Sequence, residues 1–146
     1  MRVFIGADHR GFEIKNKLVE YLQSKNIRVE DMGDYKYEAE DDNPDFAQEV
    51  ARAVLQNPDD FLGIVICGSG VGVSIAANRF HGVRCALGFG IDQIKHARER
   101  DHVNVLALAA DYFPEEELKK FVDTFLNEKP TEEERDLRRI KKMDAV

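Results

Sequence analysis

The stretch FLGIVICGSGVGVSIAANRF, residues 61–80, decides the fold of this chain of 146 residues. It joins an apolar, β-branched run over 61–67 to a glycine-rich turn over 68–72 and then to a segment with helical character. A buried strand that turns directly into a helix is typical of strand–helix units repeated around a parallel sheet. We therefore expect an α/β protein.

Similar apolar runs occur on both sides of this stretch. Together with it they predict five strands, at residues 3–7, 27–32, 61–67, 83–88 and 104–109. Apolar residues recur at helical spacing between several of these runs, and Thr131 and Glu134 fit a capping box at the start of a helical tail from about residue 131. No repeat or linker divides the chain. The sequence predicts a single domain over residues 1–146, with a Rossmann-like, five-stranded parallel sheet between two helical layers.

Composition and charge exclude several classes of function. A net charge of -7 disfavours a protein that binds nucleic acid by counterion release. No apolar run approaches the ~20 residues of a membrane span, and the first residues lack the features of a signal peptide, so we expect a cytoplasmic protein without membrane contact. The only cysteines, Cys67 and Cys85, lie in strand-like runs and are predicted to be reduced.

The negative charge is concentrated in one region. Residues 30–49 hold nine acidic residues and one lysine, so the rest of the chain is close to neutral and can keep a pocket for an anionic metabolite. This acidic region lacks the spacing of a calcium loop, and we interpret it as a solvated loop.

The turn Cys67-Gly68-Ser69-Gly70-Val71-Gly72 carries the strongest local signal. Alternate glycines allow a tight turn that aims several N–H groups at one point, in front of a helix N-terminus. This pattern indicates a cradle for an anion or oxyanion, the alternative being a turn shaped only by packing. A P-loop would need Lys before Ser74, and a cysteine phosphatase would need Arg in place of Val73. The third glycine is also misplaced for a dinucleotide fingerprint.

Cys67 is the candidate proton carrier. A thiol at the head of a helix can move a proton to and from carbon if the same loop stabilises charge on the neighbouring oxygen. The loop and the thiol therefore suit an enediolate intermediate. The alternative for Cys67 is a small apolar residue that ends a strand, which is the role that we predict for Cys85.

Asp8 and His9 follow the first predicted strand and should lie at the same edge of the sheet as Cys67. The carboxylate can orient a sugar hydroxyl, and the imidazole can bind a phosphate or a ring oxygen. Arg10 and the tail residues Arg135 and Arg139 can supply cations to a phosphate, although arginines on a helix are usually solvated.

Three segments together resemble one known family, the ribose-5-phosphate isomerase B family, whose relatives include allose-6-phosphate and galactose-6-phosphate isomerases. The segments are Asp8-His9 with GFEIK (11–15), CGSGVG with SIAANR (67–72 and 74–79), and NVLAL (104–108). The resemblance covers nearly the whole chain. It implies a five-stranded parallel sheet, a homodimer, or a tetramer built from it, with active sites shared between subunits, and no metal or other cofactor.

The resemblance also implies roles for individual residues. Cys67 would be the base that carries a proton between sugar C1 and C2, with Ser69 beside it. Asp8 would hold hydroxyl groups, and His9 would hold the phosphate together with Arg135 and Arg139. The backbone of the loop would stabilise the enediolate through Gly68, Gly70, Val71 and Gly72.

This sequence departs from the family pattern at several positions. Arg100-Asp101 stands where the family usually has His-Asn, Asp111 stands where it has an arginine, and Asn43 replaces a tyrosine. Arg100 stays charged near neutrality and cannot act as the general acid that opens the sugar ring, although it can bind substrate. His102 is the nearest imidazole in sequence and is the candidate for ring opening.

We carry three hypotheses forward from the sequence. The first is an aldose–ketose isomerase of a small phosphorylated sugar. The second is an isomerase of a different or non-phosphorylated sugar, and the third is a non-catalytic module that binds a sugar phosphate or a nucleotide. A thiol at the head of the loop favours the two enzymes, because a binding module does not need one.

Overall fold

The computed structural model describes residues 1–146, which form one α/β domain with a central parallel sheet. The strands are β1 (Arg2–Ala7), β2 (Val29–Asp31), β3 (Phe61–Cys67), β4 (Cys85–Leu87) and β5 (Val105–Ala109). The helices are α1 (Phe12–Ser24), α2 (Asn43–Val54), α3 (Val71–Ala77), α4 (Ile91–Arg100), α5 (Glu115–Asn127) and α6 (Glu134–Met143). None of these helices has the length and apolarity that crossing a membrane requires.

The strand order is β2-β1-β3-β5-β4, with every neighbouring pair parallel. The three central strands are almost fully buried, which explains their continuous apolar sequences. Each is covered on both faces. One face packs against α1, α4 and α5, and the other packs against α2 and α3. The predicted three-layer architecture is confirmed.

An ion pair inside the structure joins α1 to the edge strand β2. Lys15 of α1 is fully buried, and its ammonium group pairs with Asp31 at the end of β2. The same ammonium group donates to Asn16 Oδ1 at 3.1 Å and lies 5.6 Å from the centre of the Phe12 ring. Asp31 remains 28% exposed, so the two charges of the pair differ in their access to water.

The predicted strands differ from the observed ones mainly at the edges of the sheet. The central run 61–67 is confirmed without change, whereas runs 27–32 and 83–88 shorten to three residues each in β2 and β4. An edge strand is paired on one side only, so fewer of its residues are held in the ladder. Helix α4 was not predicted, because only Ile94 and Ala97 on it are buried and the apolar pattern is weak.

The helical tail starts three residues later than predicted, at Glu134. The expected capping box between Thr131 and Glu134 is wrong. Thr131 Oγ1 instead accepts a hydrogen bond from the backbone N–H of Glu133 at 3.1 Å, forming a local turn before the helix. The tail lies against the loops that lead into β4 and β5, since Arg84 pairs with Asp144 at 2.8 Å and His102 contacts the Thr131 carbonyl.

Candidate active site

The topology creates a crevice at the carboxyl end of the sheet. The chain runs from β1 to β2 on one side, whereas β3 pairs with β1 on the other side, so the strand order reverses between β1 and β3. Ligands bind at such switch points in open α/β sheets. Asp8 directly follows β1 and Cys67 ends β3, which places both at this crevice, as predicted from the sequence.

Cys67 and the glycine-rich turn form the floor of the site. The thiol is 4% exposed, and the backbone N–H of Gly70 donates to its Sγ at 3.2 Å. Gly70 has φ +73°, and a Cβ there would lie 2.5 Å from Leu87 Cδ1 and 3.1 Å from the Leu108 carbonyl oxygen. Only glycine fits this position. The turn is therefore shaped to aim an amide at the sulfur.

Ser69 presents its hydroxyl to the opening of the crevice. The residue is exposed, and its Oγ accepts a hydrogen bond from the Val71 backbone N–H at 3.3 Å, which leaves the hydroxyl proton free to donate. Val71 and Gly72 begin the short helix α3, so their backbone lies beside this hydroxyl. The turn thus combines a thiol, a hydroxyl and backbone donors within six residues.

Asp8 is a buried carboxylate held by the backbone that follows it. Its Oδ1 accepts from the N–H of Arg10 at 3.0 Å and from the N–H of Gly11 at 3.1 Å. Burial raises the pKa of Asp8, whereas these backbone donors lower it by a smaller amount. Asp8 lines the same cavity as Cys67, and its Oδ2 accepts no hydrogen bond within the chain. Asp8 is therefore suited to hold a sugar hydroxyl.

Arg10 lies over the turn and is held there by Asp111. Its Nε donates to Asp111 Oδ2 at 2.7 Å, and its Nη2 contacts the same oxygen. This hydrogen bond to Asp111 raises the pKa of Arg10. A Cβ on Gly68 would lie 2.5 Å from Asp111 and 2.7 Å from Arg10, so the glycine makes room for the pair. Asp111 thus fixes the guanidinium group of Arg10 above the turn.

A cavity of about 300 Å³ joins these groups. Its lining consists of Asp8, Arg10, Asn43, Cys67, Gly68, Ser69, Gly72, Asp111 and Tyr112. Asn43 is notable because its Oδ1 is buried and accepts no hydrogen bond. Asn43 Oδ1 can lie this close to the turn because residue 72 is a glycine. A Cβ on Gly72 would lie 2.7 Å from that oxygen. A buried acceptor without a donor costs free energy, and a substrate hydroxyl can satisfy it.

His9 lies at the side of this crevice and is bound to the acidic loop, the segment between β2 and α2 that includes Asp41. Asp41 Oδ1 accepts from the backbone N–H of His9 at 3.0 Å and lies 2.6 Å from its Nδ1. The hydrogen bond to Asp41 raises the pKa of His9. His9 lines a second cavity of about 430 Å³, beside α1, and Arg10 borders both cavities.

Asp8, His9 and Asp41 each place one potential metal ligand atom within 4.8 Å of the others. In this arrangement His9 Nδ1 and Asp41 Oδ1 are bonded to each other, and two amides occupy Asp8 Oδ1. His9 and Asp41 therefore form a hydrogen-bonded pair, and Asp8 is held beside them by the backbone that follows it. The expectation that the site works without metal or cofactor stays a prediction.

The remaining predicted site residues form a separate cluster at the amino end of the sheet. Arg100 at the end of α4 donates to Asp136 of α6 at 2.9 Å. Arg135 and Arg139 approach the same carboxylate at 3.9 and 3.7 Å, and both are 61% exposed. Asp136 is buried, and the hydrogen bond from Arg100 is the main cause that lowers its pKa. One buried carboxylate thus organises three arginines.

His102 belongs to this amino-end cluster. It has φ +49°, and its Nε2 lies 2.7 Å from the Thr131 carbonyl oxygen, so the ring N–H donates to that carbonyl. The residue precedes β5, whereas Cys67 lies beside Ala109 at the other end of that strand. The five residues of β5, from Val105 to Ala109, span about 13 Å. Within one chain, His102, Arg100, Arg135 and Arg139 are therefore separated from Cys67 by the length of the sheet.

Sequence reasoning overlooked Asp41 at the site. Asp41 was hidden in a run of acids, most of which are exposed as expected, and no spacing rule distinguishes it from its neighbours. Asn43 and Asp111 were visible only as departures from a family pattern. Their contacts depend on how loops from β2 and β5 meet the turn after β3, which local sequence does not encode.

The comparisons with known proteins agree with this geometry. The model of the ribose/galactose isomerase family matches residues 3–143. A probable ribose-5-phosphate isomerase B of Mycoplasma genitalium is 44% identical over 124 residues, which cover 85% of this chain and 82% of that protein. The ribose-5-phosphate isomerase B of Mycolicibacterium paratuberculosis is 36% identical over 140 residues, covering 96% and 87% of the two chains.

Solved structures give the same result. The crystal structure of the Mycoplasma genitalium ribose-5-phosphate isomerase B with bound ribulose-5-phosphate superposes with a TM-score of 0.94 and 42% identity, covering 99% of this chain and 94% of that one. The Thermotoga maritima ribose 5-phosphate isomerase gives a TM-score of 0.92 and 42% identity, over 99% and 98% of the two chains. The chain belongs to the ribose/galactose isomerase family.

Proposed function

We propose that this chain is an aldose–ketose isomerase that interconverts ribose 5-phosphate and ribulose 5-phosphate. The observation that carries the proposal is the buried Cys67 thiol facing a cavity that also holds Asp8, Ser69 and Arg10. Relatives of the chain are named ribose-5-phosphate isomerase B, and one of their structures holds ribulose-5-phosphate. A binding module has no use for such a thiol.

The proposed reaction moves two protons. The Cys67 thiolate removes the proton from C2 of the open-chain aldose, and the electron pair forms the C1–C2 double bond while negative charge develops on O1. Backbone N–H groups of the turn and the Ser69 hydroxyl stabilise this enediolate. The thiol then returns its proton to C1, the O2 proton passes to O1, and the ketose results. Asp8 holds a neighbouring hydroxyl throughout.

Arg10 is the arginine that one chain brings to the Cys67 cavity, and Asp111 already pairs with it, so the substrate phosphate needs further cations. Arg135 and Arg139 lie at the amino end of the sheet, exposed and preorganised around Asp136. We propose that a homodimer, or a tetramer built from it, places this cluster of one copy against the crevice of another. Exposed apolar side chains near the crevice support an interface there. They include Val71, Phe89, Ile91 and Tyr112.

The dimer also determines what His102 can do. Its ring can serve in ring opening only at the crevice of a second copy, since it lies at the amino end of its own sheet. Arg100 would enter the same place as a substrate-binding cation.

Both cysteines are free thiols, which supports a reducing compartment such as the cytoplasm as the place of action.

Proton exchange in heavy water tests the activity. Incubation with ribose 5-phosphate is expected to replace the C2 proton with deuterium and to produce ribulose 5-phosphate, both of which NMR can follow. Galactose 6-phosphate, allose 6-phosphate and free ribose form the comparison panel. Exchange only with a free sugar would assign a different substrate, since Asp111 neutralises part of the positive charge at the crevice. Binding without exchange for every sugar would contradict an isomerase.

Subunit mixing tests the shared site. Cys67→Ala removes a group at the carboxyl end of the sheet. The double variant Arg135→Ala/Arg139→Ala removes two groups at its amino end. Each variant alone is expected to be nearly inactive. After subunit exchange of equal amounts, half of the dimers are mixed and one of their two sites is intact, so about a quarter of the wild-type activity should return.

A second mixture provides the control. Cys67→Ala mixed with Ser69→Ala restores nothing if both groups come from the same copy, because each site still lacks one of them. Sedimentation at micromolar concentration should show a species near twice the chain mass of 16.7 kDa or a multiple of that dimer. An active monomer, or equal recovery in both mixtures, would contradict the shared site.

A further inference from the structure

Asp41 is the one member of the acidic loop that is tied to the crevice. Residues 35–40 of this loop are exposed, whereas only 9% of the Asp41 side chain is accessible. Its Oδ1 receives both the backbone N–H and the Nδ1 of His9. Two contacts to one oxygen fix the position of the imidazole as well as its orientation. Tyr37 from the same loop packs edge-on against the ring at 6.5 Å.

The second oxygen of Asp41 determines the charge of this pair. Oδ2 is buried and has no hydrogen-bond partner, so His9 is the only side chain that compensates the carboxylate. A poorly solvated carboxylate strongly favours a positive charge on the group that it touches. The hydrogen bond to Asp41 therefore favours the protonated form of His9.

The orientation leaves the outer nitrogen of His9 available. Nδ1 is occupied by Asp41, whereas Nε2 has no protein partner, and the ring lines the cavity beside α1. This cavity adjoins the Cys67 cavity at Arg10. A sugar whose reacting carbons lie over Cys67 can thus extend its anionic end toward His9.

We propose that Asp41 is a positioning residue that holds His9 as an imidazolium, with Nε2–H aimed at the anionic group of the substrate. The proposal rests on the proposed isomerase function for the identity of that group. It assigns to the acidic loop a role in recognising a phosphate, although the loop itself carries negative charge.

The cations around the ring are already paired with carboxylates. Arg10 is bound to Asp111, and Lys17 is bound to Glu13 at 3.0 Å and to Glu115 at 2.9 Å. Asp8 adds an attraction for the imidazolium, and Arg10 opposes it. The titratable groups that face His9 or share its cavity are Asp8, Arg10, Glu13, Lys17, Glu20, Tyr37 and Asp41.

The sign of the pH dependence follows from this arrangement. The hydrogen bond to Asp41 raises the pKa of His9, so the cation persists to higher pH than for an ordinary histidine. Anion binding through His9 is then present below the raised pKa and is lost as the pH rises through it. Removing the Asp41 charge should move this loss to lower pH.

The experiment measures His9 directly. In Asp41→Asn, which keeps the size of the side chain, NMR titration of the histidine ring protons is expected to show the His9 pKa about one pH unit or more lower than in the wild type. The resonance that disappears in His9→Gln identifies the ring. Glu40→Gln removes an equal charge from an exposed neighbour and should leave the His9 pKa unchanged.

Kinetics and anion binding give a second readout. Over the pH range that spans the His9 titrations of both proteins, KM and the inhibition constant of inorganic phosphate should rise at lower pH in Asp41→Asn than in the wild type, with kcat little changed. An unchanged His9 pKa, or the same shift in Glu40→Gln, would overturn the proposal. The titration needs no turnover, so an inactive wild type would refute the isomerase and leave the test of Asp41 intact.

Discussion

Replacing Cys67 with alanine is expected to lower kcat for sugar-phosphate isomerisation by about 10²- to 10⁴-fold, the usual contribution of a general acid–base group. In the proposed reaction, this thiol takes the proton from C2 and returns it to C1. Its replacement by a methyl group removes little volume, so the protein should remain folded. Circular dichroism and steady-state kinetics check the two parts of this expectation.

Cys85→Ala is the matched control. Burial raises the pKa of the Cys85 thiol to about 12, so it stays protonated near neutrality, and Cys85 does not line the Cys67 cavity. Activity should therefore remain close to that of the wild type. If Cys67→Ala retains activity within a few-fold, the base lies elsewhere, and Asp8→Asn becomes the next variant to measure.

Replacing Asp31 with alanine is expected to destabilise the protein by about 3 kcal/mol, because it leaves the Lys15 ammonium group buried without its counter-ion. The opposite change should cost much less. Lys15→Met keeps the packing of α1 and leaves Asp31, which is 28% exposed, able to reach water. Urea unfolding of the two variants measures this asymmetry.

An exposed pair provides the reference for these measurements. Arg52 and Glu49 are 2.6 Å apart on α2, with about half of each side chain accessible, so Glu49→Ala should change the free energy of unfolding by less than about 1 kcal/mol. Equal losses in Asp31→Ala and Lys15→Met would show that burial of Lys15 does not set the cost. Such a result would contradict the proposed origin of the stability.

The sequence predicted the centre of the sheet better than its margins. The run 61–67 is apolar throughout because its strand is covered on both faces, and its limits were predicted without error. The edge strands were overestimated, since residues such as Ile27 and Val83 are apolar enough for a strand but lack a second neighbouring strand. Helix α4 was missed because most of its side chains face solvent.

In the site, too, some residues could be predicted from the sequence and others could not. Asp8, Cys67 and Ser69 could be placed together because they follow strands whose carboxyl ends must share an edge. His102 precedes its strand instead, so its position at the amino end follows from the same rule, and only a second copy can bring it to a crevice. The bond between His9 and Asp41 joins residues 32 positions apart through an irregular loop, and no periodicity predicts it.

The position of β5 has a consequence for how the chain reaches its native state. This strand is the last in the chain, yet it lies between β3 and β4 and is the only neighbour of β4 in the sheet. During synthesis, β4 therefore has no strand to pair with, and one edge of β3 remains unpaired, until Val105–Ala109 has been synthesised. Long-range pairing of this kind delays folding. Completion of the sheet, and with it of the crevice next to β3, is expected to be a late event that depends on nearly the whole chain.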